Sequence, residues 1–217
     1  MNKAVIGTVH PDFIDAHFLA GLVPTLTEDY DGRLVSRVPF IASRAPAGML
    51  HVARNAVVQQ FLQHPMRPTY LVFIDTDMTW QPADLWRLLD VADAQDYPIL
   101  GGLAAMQDGA DLSQTRPVMF DYDFRTIEPT GTVQRVFCGG SAFLCLRRDI
   151  LEQCAAVYPW PAPWFDYGVR NGKAVTEEVI FCQRMWDLGI PVHVDSRIIV
   201  GHRKIHTFLS PALAGIH

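Results

Sequence analysis

Along the first half of the chain the apolar positions switch between two periods. "KAVIGTV" (3–9) is a short apolar, β-rich run and predicts a first strand. "HPDFIDAHFLAGLVPTL" then carries apolar residues at helical spacing as far as Pro24. "GRLVSRVPFIAS" (32–43) predicts a second strand with a proline interruption, and "GMLHVARNAVVQQFLQH" (48–64) places Leu50, Ala53, Val57, Val58 and Phe61 on one helical face. "YLVFID" (70–75) is the continuous apolar run of a strand buried on both faces. "QPADLWRLLDVADAQ" returns to the helical period with Pro82 near its first turn, and "YPILGGL" (97–103) predicts a fourth strand. Strand–helix alternation of this kind implies a mostly parallel sheet with helices on both faces.

The second half is patterned differently. "RPVMFDYDF" and "VQRVFCGG" flank the turn-rich "RTIEPTGT" and predict an antiparallel pair. "SAFLCLRRDILEQC" reads as a strand running into a helix. "YPWPAPWFDYGVRNG" is a loop rich in aromatic residues, proline and glycine, long enough to suggest function. "VTEEVIFCQRMWDLG" predicts a helix capped by Thr176 and ended by Gly189. "PVHVDSRIIVGH" closes with one or two strands. No repeat, low-complexity tract or linker divides the 217 residues, so one domain spanning 1–217 is expected.

Composition narrows the classes. Hydrophobic residues make up 49% of the chain, enough for a sizeable core, and the net charge is −5. An acidic chain whose only lysines are Lys3, Lys173 and Lys204 does not grip nucleic acid with its whole surface, although arginines can form a local patch. Cys138, Cys145, Cys154 and Cys182 form no C-x-x-C and no Cys/His cluster at zinc spacing, so free thiols in a reducing cytoplasm are expected. "MNKAVIGTVHPDF" has no long apolar segment, and no run of about 18 apolar residues exists to cross a bilayer. The expected location is cytoplasmic.

The chemistry concentrates where the third strand ends, in "FIDTDMTW". Asp75 and Asp77 flank Thr76, and if the chain stays extended both carboxylates fall on one side. Ligands of an open parallel sheet bind beyond the carboxyl ends of its strands, and two acids there suit a hard cation, Mg²⁺ or Mn²⁺. The alternative is an acidic turn capping the next helix. Arg54 and Asn55 open a helix near the same edge, where an arginine can meet phosphate or simply cover a solvated face. Glu177 and Glu178 begin a later helix, a position that acids favour for the dipole alone. His202 follows Gly201 at the end of the apolar "RIIV" strand, aimed at that edge or else structural.

Taken in order, "ARN", "YLVFIDTDMTWQPADLWRLL", "FCGGSAFLCLRRDILE" and "TEEVIFCQRMWDLGIPVHVDSRIIVGH" resemble nucleotide-sugar-dependent glycosyltransferases of the GT-A fold. The chain is most similar to the compact ones of bacteria and their phages, over roughly residues 3 to 203. The resemblance implies a single α/β domain of Rossmann-like GT-A type, with 1–105 as the nucleotide-sugar half and 106–217 as the acceptor and catalytic half. By the same resemblance Asp75 and Asp77 match the D-x-D that holds Mn²⁺ or Mg²⁺ against the donor diphosphate, and His202 matches a late metal ligand. Gly7, Thr8 and Val9 match the strand end under the nucleotide, with Arg54 near the phosphates and Thr76 inside the D-x-D. Gly139 and Gly140 match a glycine turn beside the donor sugar. Glu177 and Glu178 match an acidic pair whose second member, usually Asp, is the general base of inverting enzymes. Trp164, Phe165 and Asp166 in the aromatic loop are the expected acceptor contacts; the alternative is a packed proline–aromatic loop that covers the core.

The implied reaction moves a sugar from a nucleoside-diphosphate sugar to an acceptor hydroxyl. The acceptor classes left open are a hydroxymethylated DNA base, a glycan, a protein and a small molecule. Two other readings compete. "DTDMT" fits the D-x-D-x-T of haloacid-dehalogenase-like phosphatases, with Asp75 as nucleophile and Asp77 as general acid, although that motif follows a first strand. A non-catalytic nucleotide-sugar-binding module would keep Asp75 and Asp77 and tolerate loss of Glu178.

Overall fold

A computed structural model of the protein describes residues 2–11, 14–45, 49–107 and 115–203. In chain order the elements of the first half are β1 (Ala4–His10), α1 (Ala16–Thr27), β2 (Phe40–Arg44), α2 (Leu50–Gln63), β3 (Tyr70–Ile74), β4 (Met78–Thr79), α3 (Pro82–Ala94) and β5 (Ile99–Leu103). Short strands follow: β6 (Ala105–Gln107), β7 (Thr115–Pro117), β8 (Met119–Phe120), β9 (Val133–Val136) and β10 (Cys138–Gly139). The chain closes with β11 (Phe143–Arg147), α4 (Arg148–Val157), β12 (Gly168–Arg170), β13 (Lys173–Val175), α5 (Glu177–Asp187), β14 (Val192–Ile199) and β15 (Gly201–His202).

Local chemistry sets several of these boundaries. The Asp15 side chain accepts from the His17 backbone N–H and caps α1. Gln81 and Asp84 form a reciprocal capping box at α3, with Pro82 at its start. Gly189, at φ +73°, takes the left-handed position that ends α5. The second strand begins only at Phe40, directly after Pro39; of the segment before it, Leu34 makes a single bridge to Ala4.

The central sheet has seven strands in the order β2-β1-β3-β11-β5-β14-β9. β2, β1, β3, β5 and β14 run one way, and β11 and β9 run the other. The sheet is thus mostly parallel, with β11 inserted antiparallel between β3 and β5. The expected antiparallel pair is realised only where β8 meets β10; "VQRV" leaves it to become the sheet edge beside β14. β3 explains the two-sided burial: Leu71 and Phe73 enter the core beneath α2, with Val57, Val58 and Phe61, while Tyr70, Val72 and Ile74 enter the other, with Phe18 of α1 and Leu85 and Leu88 of α3. Among the described residues no helix is long and apolar enough to cross a membrane.

Candidate active site

At the end of β3 the chain turns instead of staying extended. The Asp75 N–H donates to the Ala142 carbonyl at 3.0 Å, and the Met78 N–H closes a turn onto the Asp75 carbonyl at 3.1 Å. The two carboxylates therefore part company. Both oxygens of Asp75 lie 3.0 Å from Nη2 of Arg54, whereas Oδ2 of Asp77 lies 3.0 Å from Nε2 of His202. Thr76 is buried between them. Among the described residues no three of His, Cys, Asp and Glu converge as a metal cage. The expected Asp75–Asp77–His202 triad is thus an Asp77–His202 pair, because Arg54 holds Asp75.

Arg54 is only 1% exposed. Its Nε donates to Glu177 at 3.3 Å, and its guanidinium lies over the rings of Phe73 and Phe165 at 5.3 and 5.8 Å. Burial opposes its charge, but the carboxylates of Asp75 and Glu177 outweigh that and hold its pKa above the ordinary value. Nη1 is buried without a hydrogen-bond partner. Nε and Nη2 of Arg54 are thus engaged by two protein carboxylates. Asp75 in turn is pushed up by burial, held down by Arg54, and pushed up again by Asp77 and Glu177, and the net direction is up. Asp75, Glu177 and Glu178 thus gather around this guanidinium.

His202 reaches Asp77 because β15 pairs antiparallel with β4, opposing His202 to Met78 and Gly201 to Thr79. A Cβ on Gly201 would stand 2.2 Å from Thr79 Oγ1, so glycine is what permits this approach. Nδ1 of His202 lies 3.2 Å from the Ala105 carbonyl and Nε2 lies 3.0 Å from Asp77. Asp77 and His202 are the side chains here that could hold a divalent metal.

Glu178 lies on the opposite wall. Its carboxylate accepts from the Ser141 hydroxyl at 3.4 Å. Burial, then Glu177, raises its pKa above the usual carboxylate range, and Arg54 offsets only part of that. Asp75, Gly140, Ser141, Glu178 and His202 together line one cavity of about 330 Å³. Glu177 does not share it; the residue is 2% exposed and paired with Arg54. Ser141 was not singled out in the sequence, though its place directly after Gly139–Gly140 in "GGS" is the signal that points to it.

The remaining expected residues divide. Gly140 lines the cavity, but Gly139 belongs to the packing, where a Cβ would meet Val194 at 2.8 Å. Gly7, Thr8 and Val9 are buried inside β1, which runs on to His10. The Thr8 hydroxyl donates to the Ile74 carbonyl at 2.7 Å and staples β1 to β3. Trp164 and Phe165 are core residues, 1% and 0% exposed. Trp164 Nε1 donates to the Leu151 carbonyl at 2.8 Å, and Phe165 stacks on Phe181 with centroids 4.7 Å apart. Asp166 pairs with Arg184 at 3.5 Å and does not line the cavity. The acceptor contacts expected of Trp164 and Phe165 are corrected accordingly: these two rings are core residues, whereas Trp160 and Tyr167 of the same loop are exposed.

No family model matches the chain, and no curated protein sequence matches it. Solved structures do. A197 from STIV is similar over 90% of this chain and 82% of its own, with a TM-score of 0.56 and 16% identity. GalNAc-T7, solved with UDP, GalNAc and Mn²⁺, is similar over 93% of this chain with a TM-score of 0.52 and 12% identity. This chain spans 44% of that structure. These likenesses and the sheet order define a GT-A-type, Rossmann-like α/β fold.

Proposed function

We propose that the protein is a metal-dependent glycosyltransferase that moves a sugar from a nucleoside-diphosphate sugar to an acceptor hydroxyl with inversion. The observation that carries this reading is that Asp75, Glu178 and His202 line one cavity at the carboxyl edge of the sheet, with Asp77 paired to His202 beside it. Fold likeness to a structure holding UDP and Mn²⁺ supports the donor class. Asp77 and His202 would hold Mn²⁺ or Mg²⁺, with diphosphate oxygens completing its coordination. The metal, when bound, neutralises charge on the departing nucleoside diphosphate.

The chain's own groups divide the remaining work. Asp75, fixed by Arg54, lines the cavity and can accept hydrogen bonds from donor hydroxyls. Gly140 leaves room for the sugar. Glu178, oriented by Ser141 and made more basic by its surroundings, takes the proton from the acceptor hydroxyl. The acceptor oxygen bonds to the anomeric carbon as the bond from that carbon to the diphosphate breaks, and the electron pair leaves with the nucleotide. Glu177 is a charge partner of Arg54 and no base.

A phosphatase reading draws less support. Both oxygens of Asp75 are engaged by Arg54, which weakens it as a nucleophile, and Lys173 is exposed on the β12–β13 hairpin. The test incubates the protein with UDP-, GDP- and dTDP-sugars and Mn²⁺ and measures released nucleoside diphosphate. Metal-dependent release is expected. Phosphate release from a monoester instead would establish the phosphatase, and nucleotide binding with neither activity would establish a binding module.

A further inference from the structure

The cavity has apolar lining that the donor chemistry leaves unused. Met106, Val118, Val179 and the rings of Phe120 and Phe124 all line it. Arg116 lines it too, with its guanidinium 5.6 Å from the Phe120 centroid, which extends that flat wall. The Phe124 ring is held in place from behind. Arg170 lies over it at 4.7 Å, and Phe137 packs edge-on at 5.7 Å.

The backbone beneath Phe124 reinforces this. Phe124 has φ +62°, a conformation that a bulky side chain rarely adopts. The turn that enforces it is built on Asp121, whose side chain accepts from the Asp123 and Arg125 N–H groups while its carbonyl accepts from the Phe124 N–H at 3.0 Å. Backbone strain of this kind persists only where the surroundings over-determine it, and it clusters at functional sites. Here it aims a ring at the cavity, two short elements away from the base.

The lining decides what can sit there. Asp75, Arg116, Ser141, Thr176, Glu178 and His202 supply polar lining, but against the methyl, thioether and ring surfaces a polyhydroxylated acceptor would leave hydroxyls unpaired, and each costs binding. A flat aromatic ring has no such groups and gains edge and offset contacts with Phe120 and Phe124. The volume, about 330 Å³, lies at the low end of small-molecule sites, a size that suits a single ring. Resting on the glycosyltransferase reading above, we propose that the acceptor is an aryl alcohol, with its hydroxyl on or one carbon from an aromatic ring that packs against Phe120 and Phe124. That hydroxyl loses its proton to Glu178 and bonds to the anomeric carbon, while the nucleoside diphosphate leaves with the electron pair of the broken bond.

The experiment uses whichever nucleotide sugar the protein hydrolyses with Mn²⁺ and adds 4-nitrophenol, benzyl alcohol, cyclohexylmethanol or glucose. Release of nucleoside diphosphate above the water rate is measured, with the glycoside confirmed by mass. The aryl alcohols are expected to accelerate release, and cyclohexylmethanol and glucose far less. Phe124→Gly, which removes the ring and relieves the backbone, and Phe120→Leu, which keeps bulk without the ring, should each raise KM for benzyl alcohol by about tenfold, with the loss in acceptor KM and not in donor affinity. Glucose or cyclohexylmethanol matching the aryl alcohols overturns the proposal, as does donor hydrolysis that no aryl alcohol stimulates. If no nucleotide sugar is hydrolysed at all, the transferase reading falls first and this inference falls with it.

Discussion

A single buried guanidinium organises the residues of this site. Arg54 is set among Asp75, Glu177 and Glu178, and removing one partner of a buried ion pair costs about 3–5 kcal/mol. Arg54→Met is expected to lower Tm by more than about 6 °C in a thermal melt, and Arg54→Lys should recover part of that. Asp77→Ala should leave Tm near that of the parent but abolish Mn²⁺-dependent binding of nucleoside diphosphate in calorimetric titration; unchanged metal dependence would remove Asp77 from the metal site. Glu178 supplies a pH signature. Its folded pKa lies above the ordinary 4.5, so the folded chain keeps a proton that the unfolded chain has lost, and stability falls as pH rises through that window. Glu178→Gln should therefore raise Tm, by more at pH 8 than at pH 5, while cutting turnover by about 10²–10⁴-fold. Parent turnover should climb with pH along an acid limb displaced above the usual carboxylate range. The sequence contained these acids in plain view, but not their pairing. Arg54 meets partners 21 and 123 positions away, and no local pattern reveals that its charge is already spoken for.

Among the elements, α2 and the aromatic loop act as one body. The Asn55 side chain donates to the Phe165 carbonyl at 2.7 Å and accepts from the Trp164 and Phe165 N–H groups, both at 3.3 Å. This pins the loop against the helix that carries Arg54, so the buried Trp164 and Phe165 support the site from within the core. Asn55→Ala leaves those buried backbone groups unpaired, at about 1–3 kcal/mol for each group, and should lower Tm by at least roughly 4 °C. A variant with unchanged Tm would mean that the loop holds its place without the asparagine. Strands and helices were legible wherever periodicity was strong, as in "YLVFI" and "DLWRLLDVADA". The position of β11 was not, because an apolar run announces burial on both faces without saying which neighbours it will have or which way it will point. The loop misled for a related reason: exposed and buried aromatic residues look alike until the helices that cover them are in place.

At the scale of the molecule, the boundary near residue 105 does not separate two bodies. β11 comes from the later half and sits between β3 and β5 of the earlier one, and His202 closes onto Asp77 from near the end of the described chain. A fragment ending at residue 105 is therefore expected to give no cooperative thermal transition, whereas the whole chain gives one. A sharp melt of the fragment would contradict the interleaved sheet. The same insertion matters while the chain is being made. β3 is finished at Ile74, yet its permanent neighbour is not complete until Arg147. At about 5–20 residues per second that interval lasts roughly 4–15 s. Throughout it, one edge of a fully apolar strand has no neighbour, which is the kind of edge that recruits other chains. Slow ribosomes, rare codons between those two points, or crowded synthesis at high expression would lengthen or multiply the exposure. The yield of soluble protein is thus governed by the delay before β11 arrives as well as by the stability of the finished sheet.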